Sequence, residues 1–283
     1  MHFSLILLAI GVACGMRLVA FRPRLGWSTR WRHTLGLFLG PPLLLLITAG
    51  AVLGMGRQGQ MLGLPAGEIG YICALGFLAL ALGCLVWRAG QAWHSSRQLR
   101  HYPVLEIEQT PAYLLDSTVP FAAQIGVWQP RLVVSQGLFT QLTADQIQAV
   151  IAHEQAHTHY RDTFWFFWLG WLRHLTAWLP NTEALWQELL LLREVRADRW
   201  AAQQVDPLLV AEALLQMAQA PLIGLEPTLE HSCAAISAGT SLTRLEERIE
   251  ALLSEQTLPE SASLPWLWLL LSLIPLFTMV LHQ

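Results

Sequence analysis

The chain has 283 residues, 54% of them hydrophobic and only 13% charged, with a mean hydropathy of +0.42. A soluble domain carries about 25% charged residues, so water cannot cover this chain evenly, and the composition excludes disordered, collagen-like and nucleic-acid-binding classes. The 17 basic residues are all arginine and are segregated: residues 1–105 hold nine arginines and one acid, 106–260 hold eight arginines and nineteen acids, and 261–283 hold no charge.

In chain order, the stretches 3–21, 34–56 and 69–87 are each apolar over about the 20 residues that cross a bilayer, and 261–283 is a fourth. Pro265 and Pro275 in the last stretch are compatible with a membrane helix whose neighbours satisfy the freed carbonyls. The start, Met1-His2-Phe3, lacks the basic n-region of a signal peptide, and Arg17 follows the apolar run, which predicts an uncleaved anchor. Arg17, Arg22, Arg24, Arg30 and Arg32 surround the first connection, Arg57 stands alone in the second, and Arg88, Arg97 and Arg100 follow the third stretch. The excess of arginine on the cytoplasmic side of membrane proteins then predicts a cytoplasmic block after Trp87, with both termini and the 57–68 loop outside. The expectation is a multi-pass protein of the plasma (bacterial inner) membrane, with Trp27, Trp31, Trp87, Trp93, Trp266 and Trp268 near the interfaces. Cys14, Cys73, Cys84 and Cys233 form no CxxC pair, which predicts reduced thiols. A transporter is disfavoured, because Glu68 is the only acid in or between the first three stretches.

The expected division is therefore 1–102 as a membrane region, 103–260 as a cytoplasmic domain and 261–283 as a final crossing. In the middle block, 104–108, 113–115 and 131–134 read as strands, separated by Pro111, Pro120, Gly126 and Pro130. Thr143-Ala144-Asp145-Gln146 has the form of a capping box, with Thr143 as N-cap and Gln146 at N3. The helix it opens carries His153-Glu154-Gln155-Ala156-His157. Residues four apart on a helix lie about 40° apart, so both imidazoles point at one ion. Glu154 is turned about 100° further, where it reaches the water that such an ion activates.

A catalytic zinc site needs a third protein ligand. Glu194, on a predicted helix over 182–203 capped by Asn181 or Thr182, is the best candidate, with Glu188 and Glu183 as weaker substitutes. Asp198 lies four residues on, on the same face, placed to accept a hydrogen bond from a ligating imidazole. His159 is turned about 200° from His157 and cannot join the same site. Asp162 is expected to end or brace the helix, with support of a metal-ligating side chain as its alternative role. The span 163–180 is crowded with aromatics but too short to cross cleanly, which predicts an interfacial or re-entrant helix. Tyr160, His174, His231 and Arg248 are the candidates for stabilising an oxyanion.

Pro120-Phe121, Pro130-Arg131-Leu132-Val133-Val134, Gly137-Leu138, Ala149-Val150-Ile151-Ala152-His153-Glu154-x-x-His157, Arg161-Asp162, Glu194-x-x-x-Asp198 and Leu245-Glu246-Glu247-Arg248-Ile249 together resemble the membrane zinc metallopeptidases of the beta-lactam-responsive antirepressor regulators. The resemblance covers roughly 105–255, with three helices before the peptidase and one after. It implies a mainly α, multi-pass membrane protein with an inserted α+β, zincin-like (gluzincin) domain. It also implies one zinc ion on His153, His157 and Glu194, and Glu154 as catalytic base. The implied activity is zinc endopeptidase cleavage of a cytoplasmic or membrane-adjacent protein, with a repressor as the candidate partner; the composition predicts no nucleic-acid partner. Signalling members continue into an extracellular penicillin-binding sensor, whereas this sequence ends at Gln283. Membrane peptidases of the heat-shock and prenyl-protein type share HExxH and a later ExxxD and form the alternative family. A non-catalytic zinc-binding membrane sensor is the non-enzymatic alternative; Glu154 argues against it, since structural zinc does not need that residue.

Overall fold

The computed structural model describes residues 2–18, 27–58, 60–61, 64–65, 67–107, 110–219, 242–254 and 272–277. The expected crossing at 261–283 therefore lies outside the described residues except at 272–277, and so do Arg22, Arg24, His231, Cys233, Trp266 and Trp268. The chain is mainly helical with one small mixed sheet, and its contacts group it into two units.

The first unit comprises Met1–Arg88, Leu169–Leu189 and Pro259–Gln283. Its first helices are α1 (His2–Leu18), α2 (Trp27–Met55) and α3, which begins at Glu68 and runs on to Gln98. Two short antiparallel strands, β1 (Gln60–Met61) and β2 (Leu64–Pro65), lie between α2 and α3. α1 turns Ala9 and Ala13 towards Leu44 and Leu45 of α2, and such small side chains let helix backbones approach closely. Gly70 has a similar use: a Cβ there would stand 2.5 Å from that of His2. α2 carries Pro41 and Pro42 inside 29 continuous helical residues. Both α2 and α3 are long and apolar enough to cross a bilayer, whereas α1 has 17 residues. α3 leaves Ile69, Ile72, Leu80, Leu82 and Val86 exposed. It outruns the apolar 69–87 stretch because 88–98 contains no proline to stop it.

The second unit comprises Ala89–Trp168 and Leu190–Leu258. Its strands are β3 (Val104–Ile107), β4 (Thr110–Leu115), β5 (Ala122–Ile125) and β6 (Arg131–Ser135), in the order β3-β4-β6-β5. β4 and β6 run parallel and the outer pairs antiparallel. β4 begins three residues earlier than expected, because Pro111 lies just outside the ladder with β6 and does not interrupt it. β5 is a strand the sequence reading missed, since Pro120 and Gly126 closely flank its four residues. Buried Leu132, Val133 and Val134 make β6 the centre of the sheet.

α4 (Gln136–Gln141) follows β6 directly. The Ser135 hydroxyl accepts from the Leu138 and Phe121 amides and donates to the Val119 carbonyl at 2.7 Å, which uses its full capacity. Gly137 is obligatory here, because a Cβ would fall 2.2 Å from the Thr118 carbonyl oxygen. α5 (Ala144–His159) opens with the predicted capping box, both reciprocal bonds being present. Ala149, Val150, Ile151 and Ala152 bury its inner face against Leu132, Val134 and Leu138, leaving the histidines to the other side. α8 (Pro207–Gln219) packs on α5, and α9 (Leu242–Leu253) packs on α8; α10 (Ile274–Phe277) belongs to the first unit.

The two remaining helices, α6 (Asp162–Leu175) and α7 (Thr182–Ala201), each contribute residues to both units. The expected linear block 103–260 thus differs from the contact grouping, in which 169–189 joins the first unit. Specific bonds account for this: Trp171 donates to the Ala81 carbonyl, Asn181 to that of Arg17, and Arg30 to Glu188. Asn181 precedes α7 with φ 55°, and its amide is spent on Arg17.

Candidate metal centre

α5 and α7 place the functional side chains. One turn apart on α5, His153 and His157 bring their Nε2 atoms within 3.2 Å. From α7, Glu194 Oε2 lies 3.4 Å from His153 Nε2, and Oε1 lies 3.8 Å from His157 Nε2. Among the described residues these three form the group able to share a metal ion. Taking one ligand atom from each residue, the three lie within 4.8 Å of one another, against about 3.3 Å for ligands about 2.0–2.1 Å from a tetrahedral zinc. The donor chemistry fits, since imidazole and carboxylate are both ligands of such an ion.

The outward nitrogens explain why Nε2 faces inward on both rings. His157 Nδ1 lies 2.8 Å from Asp162 Oδ2, and His153 Nδ1 lies 2.8 Å from Asp198 Oδ1 at a poorer hydrogen-bond angle. Each carboxylate favours a proton on Nδ1, which leaves the Nε2 lone pair for a cation. Each aspartate is held in turn by a guanidinium. Arg248 of α9 clasps Asp198 with two bonds of 2.8 Å, and Arg196 grips Asp162 while lying over the Tyr160 ring at 4.1 Å. Arg193 donates to Glu194 and lies over the Phe166 ring.

Four carboxylates (Glu154, Asp162, Glu194 and Asp198) therefore stand among three guanidiniums, an excess of one negative charge. Burial alone would raise the Glu194 carboxyl, but Arg193, His153, His157 and Arg248 together hold it well below the usual carboxylate range. Asp198 is depressed against its burial by Arg248 and His153, and Asp162 by His157 and Arg196. Burial would lower His153, yet Asp198 and Glu194 push it up to about 10. Glu154 is buried beside this cluster, and its Oε2 has no hydrogen-bond partner.

The structure thus brings His153, Glu154, His157, Glu194 and Asp198 together. Glu183 and Glu188 are elsewhere, paired with Arg173 and Arg30 in the first unit. His159 is exposed and stacks on Trp200. Of the oxyanion candidates, His174 lies against Trp87 in the first unit, Tyr160 sits under Arg196, and Arg248 is engaged by Asp198. Asp162 bonds His157 as well as starting α6. Arg193 and Arg196 were missed as members of the cluster. Their signal was charge density: Arg193-Glu194-Val195-Arg196-Ala197-Asp198-Arg199 alternates sign so tightly that a surface helix face cannot hold it all.

No curated protein and no solved structure matches the chain. The family model described as BlaR1 peptidase M56 matches residues 68–252, more than half of the chain and the whole of the cluster above. The chain belongs to the BlaR1 peptidase M56 family and is a membrane-associated metallopeptidase.

Proposed function

We propose that this protein is a zinc-dependent endopeptidase that cleaves a cytoplasmic or membrane-adjacent protein in regulatory signalling, a repressor being the candidate substrate. The observation that carries the reading is the convergence of His153 Nε2, His157 Nε2 and the Glu194 carboxylate beside a buried, unpartnered Glu154 oxygen. Three protein ligands of this kind leave a position free, as catalytic zinc requires, whereas structural zinc is closed by four. When bound, the ion supplies Lewis-acid polarisation of the scissile carbonyl and acidifies water. His153, His157 and Glu194 would hold it; Asp162 accepts from His157 Nδ1, and Asp198 stands 2.8 Å from His153 Nδ1. An unpaired buried carboxylate oxygen is costly unless a polar partner enters. Glu154 Oε2 thus takes the proton of the attacking water and returns it to the leaving amine.

Apolar helices α1, α2 and α3, with 261–283, serve in this reading as four membrane crossings. The arginine-rich loops keep the peptidase domain cytoplasmic and both termini outside. The aromatic segment 163–180 lies at the bilayer surface.

The test compares full-length wild type with Glu154→Gln, His157→Ala and Glu194→Ala, measuring bound metal and cleavage of candidate repressors. Glu154→Gln is expected to retain zinc and lose cleavage by at least about 10²-fold, the range for a missing general base. Equal cleavage by wild type and Glu154→Gln overturns the mechanism, and undiminished zinc in Glu194→Ala overturns the third ligand.

A further inference from the structure

The turn between β5 and β6 is built around Gly126, whose φ of 119° and 2.8 Å Cβ distance to the Gln129 carbonyl oxygen admit no side chain. At its tip Trp128 is 76% exposed. The indole is not isolated: its ring lies 5.2 Å from that of Phe164 on α6, and Phe164 lies 5.2 Å from Trp165, itself 58% exposed. Two segments 36 residues apart thus meet in one exposed aromatic surface within the peptidase unit.

Charge marks the same surface. Residues 106–260 hold nineteen acids, yet none falls within 117–144, which contains the turn, or within 163–182, which contains all of the aromatic helix after its first residue, Asp162. Asp162, which begins α6, is buried on His157 and Arg196, and the next charges in sequence are basic: Arg131 closes the turn and exposed Arg161 precedes α6. An apolar ring cluster with exposed Arg161 beside it, and with its one neighbouring carboxylate buried, matches the boundary between headgroups and acyl chains, where indole rings partition and anionic lipids attract arginine.

We infer that the Trp128 turn is a second membrane contact of the peptidase unit, seated with Phe164 and Trp165 in the headgroup layer of an anionic bilayer. This rests on the membrane reading above and extends it from a helix to a turn distant in sequence. The occupant is lipid; an apolar segment of a protein substrate would bring its own charged flanks and gain nothing from the missing acids.

The experiment places a photo-crosslinking benzoylphenylalanine at position 128, 165, 203 or 80 of the full chain in phosphatidylglycerol–phosphatidylcholine nanodiscs. Lipid adducts are read by intact mass. Adducts are expected at 128 and 165, as at Leu80 on the exposed apolar side of α3, and not at exposed Gln203. An adduct at 80 with none at 128 overturns this proposal while leaving the membrane reading intact. Failure of the chain to enter nanodiscs, or no adduct at 80, overturns both. Crosslinking of position 128 to a second protein, or a raised KM for a soluble peptide in Trp128→Ser without lipid adducts, assigns the surface to a protein partner and overturns the lipid contact.

Discussion

His153 and His157 belong to one motif but are supported by different parts of the chain. Asp198, four residues past Glu194 on α7, serves His153, while Asp162, the first residue of α6, serves His157. Replacing a carboxylate that orients a metal-bound histidine typically costs 10–100-fold in affinity. Asp162→Asn is therefore expected to weaken zinc binding by about that factor in chelator competition, without removing any ligand. An unchanged affinity means that Asp162 only braces the helix. Protons provide a second check at this scale. Asp198 and Glu194 raise His153 to about 10, so at neutral pH the metal-free site holds a proton there that a cation must displace. Zinc uptake is expected to release this proton, and apparent affinity to rise about tenfold per pH unit until His153 is neutral. Calorimetry in buffers of different ionisation enthalpy measures the release; no proton transfer at pH 7 contradicts the assignment.

α5 was legible in advance because its signals are local: a capping box, an apolar inner face, and two histidines at helical spacing. The other half of the centre was less so. Arg248 meets Asp198 across 50 residues, and no spacing rule reports a contact between helices that far apart. The strand β5 escaped because four residues between a proline and a glycine carry no periodicity. Gly137-Leu138 was readable only as part of a family resemblance, and the physical cause is now apparent. Ser135 and Gly137 together turn β6 into α4, one by three hydrogen bonds and the other by having no side chain. Gly137→Ala is expected to destabilise the peptidase unit by about 1–3 kcal/mol or more, the cost of overpacking a rigid site. Thr143→Ala, which removes only the α5 cap, should cost about 1 kcal/mol. Denaturant midpoints give both values, and a Gly137→Ala cost below that of Thr143→Ala refutes the ranking.

At the scale of the molecule, the uneven charge distribution read from the sequence corresponds to two contact units with different chemistry. The first is built from apolar helices with small residues at their contacts, and the second buries a dense cluster of opposite charges around the candidate ligands. Metal removal should therefore act unevenly. Chelation is expected to reduce hydrogen-exchange protection chiefly in α5 and in 190–201 of α7, with α2 unaffected. Equal loss of protection in α2 contradicts a metal whose stabilising effect is confined to the second unit.

Adjacent residues of α7 grip α9 in opposite senses. Asp198 receives Arg248, and Arg199 donates to the Ala251 carbonyl and the Ser254 hydroxyl near the end of that helix. This sets an order of events during synthesis. When residue 198 has been made, every candidate ligand already exists, but Asp198 still lacks the guanidinium that neutralises it. Asp198 gains its guanidinium only after residue 248 is added and α9 docks. A chain halted before 242 lacks Arg248, so Asp198 and Glu194 each lose one of the cations that hold them ionised.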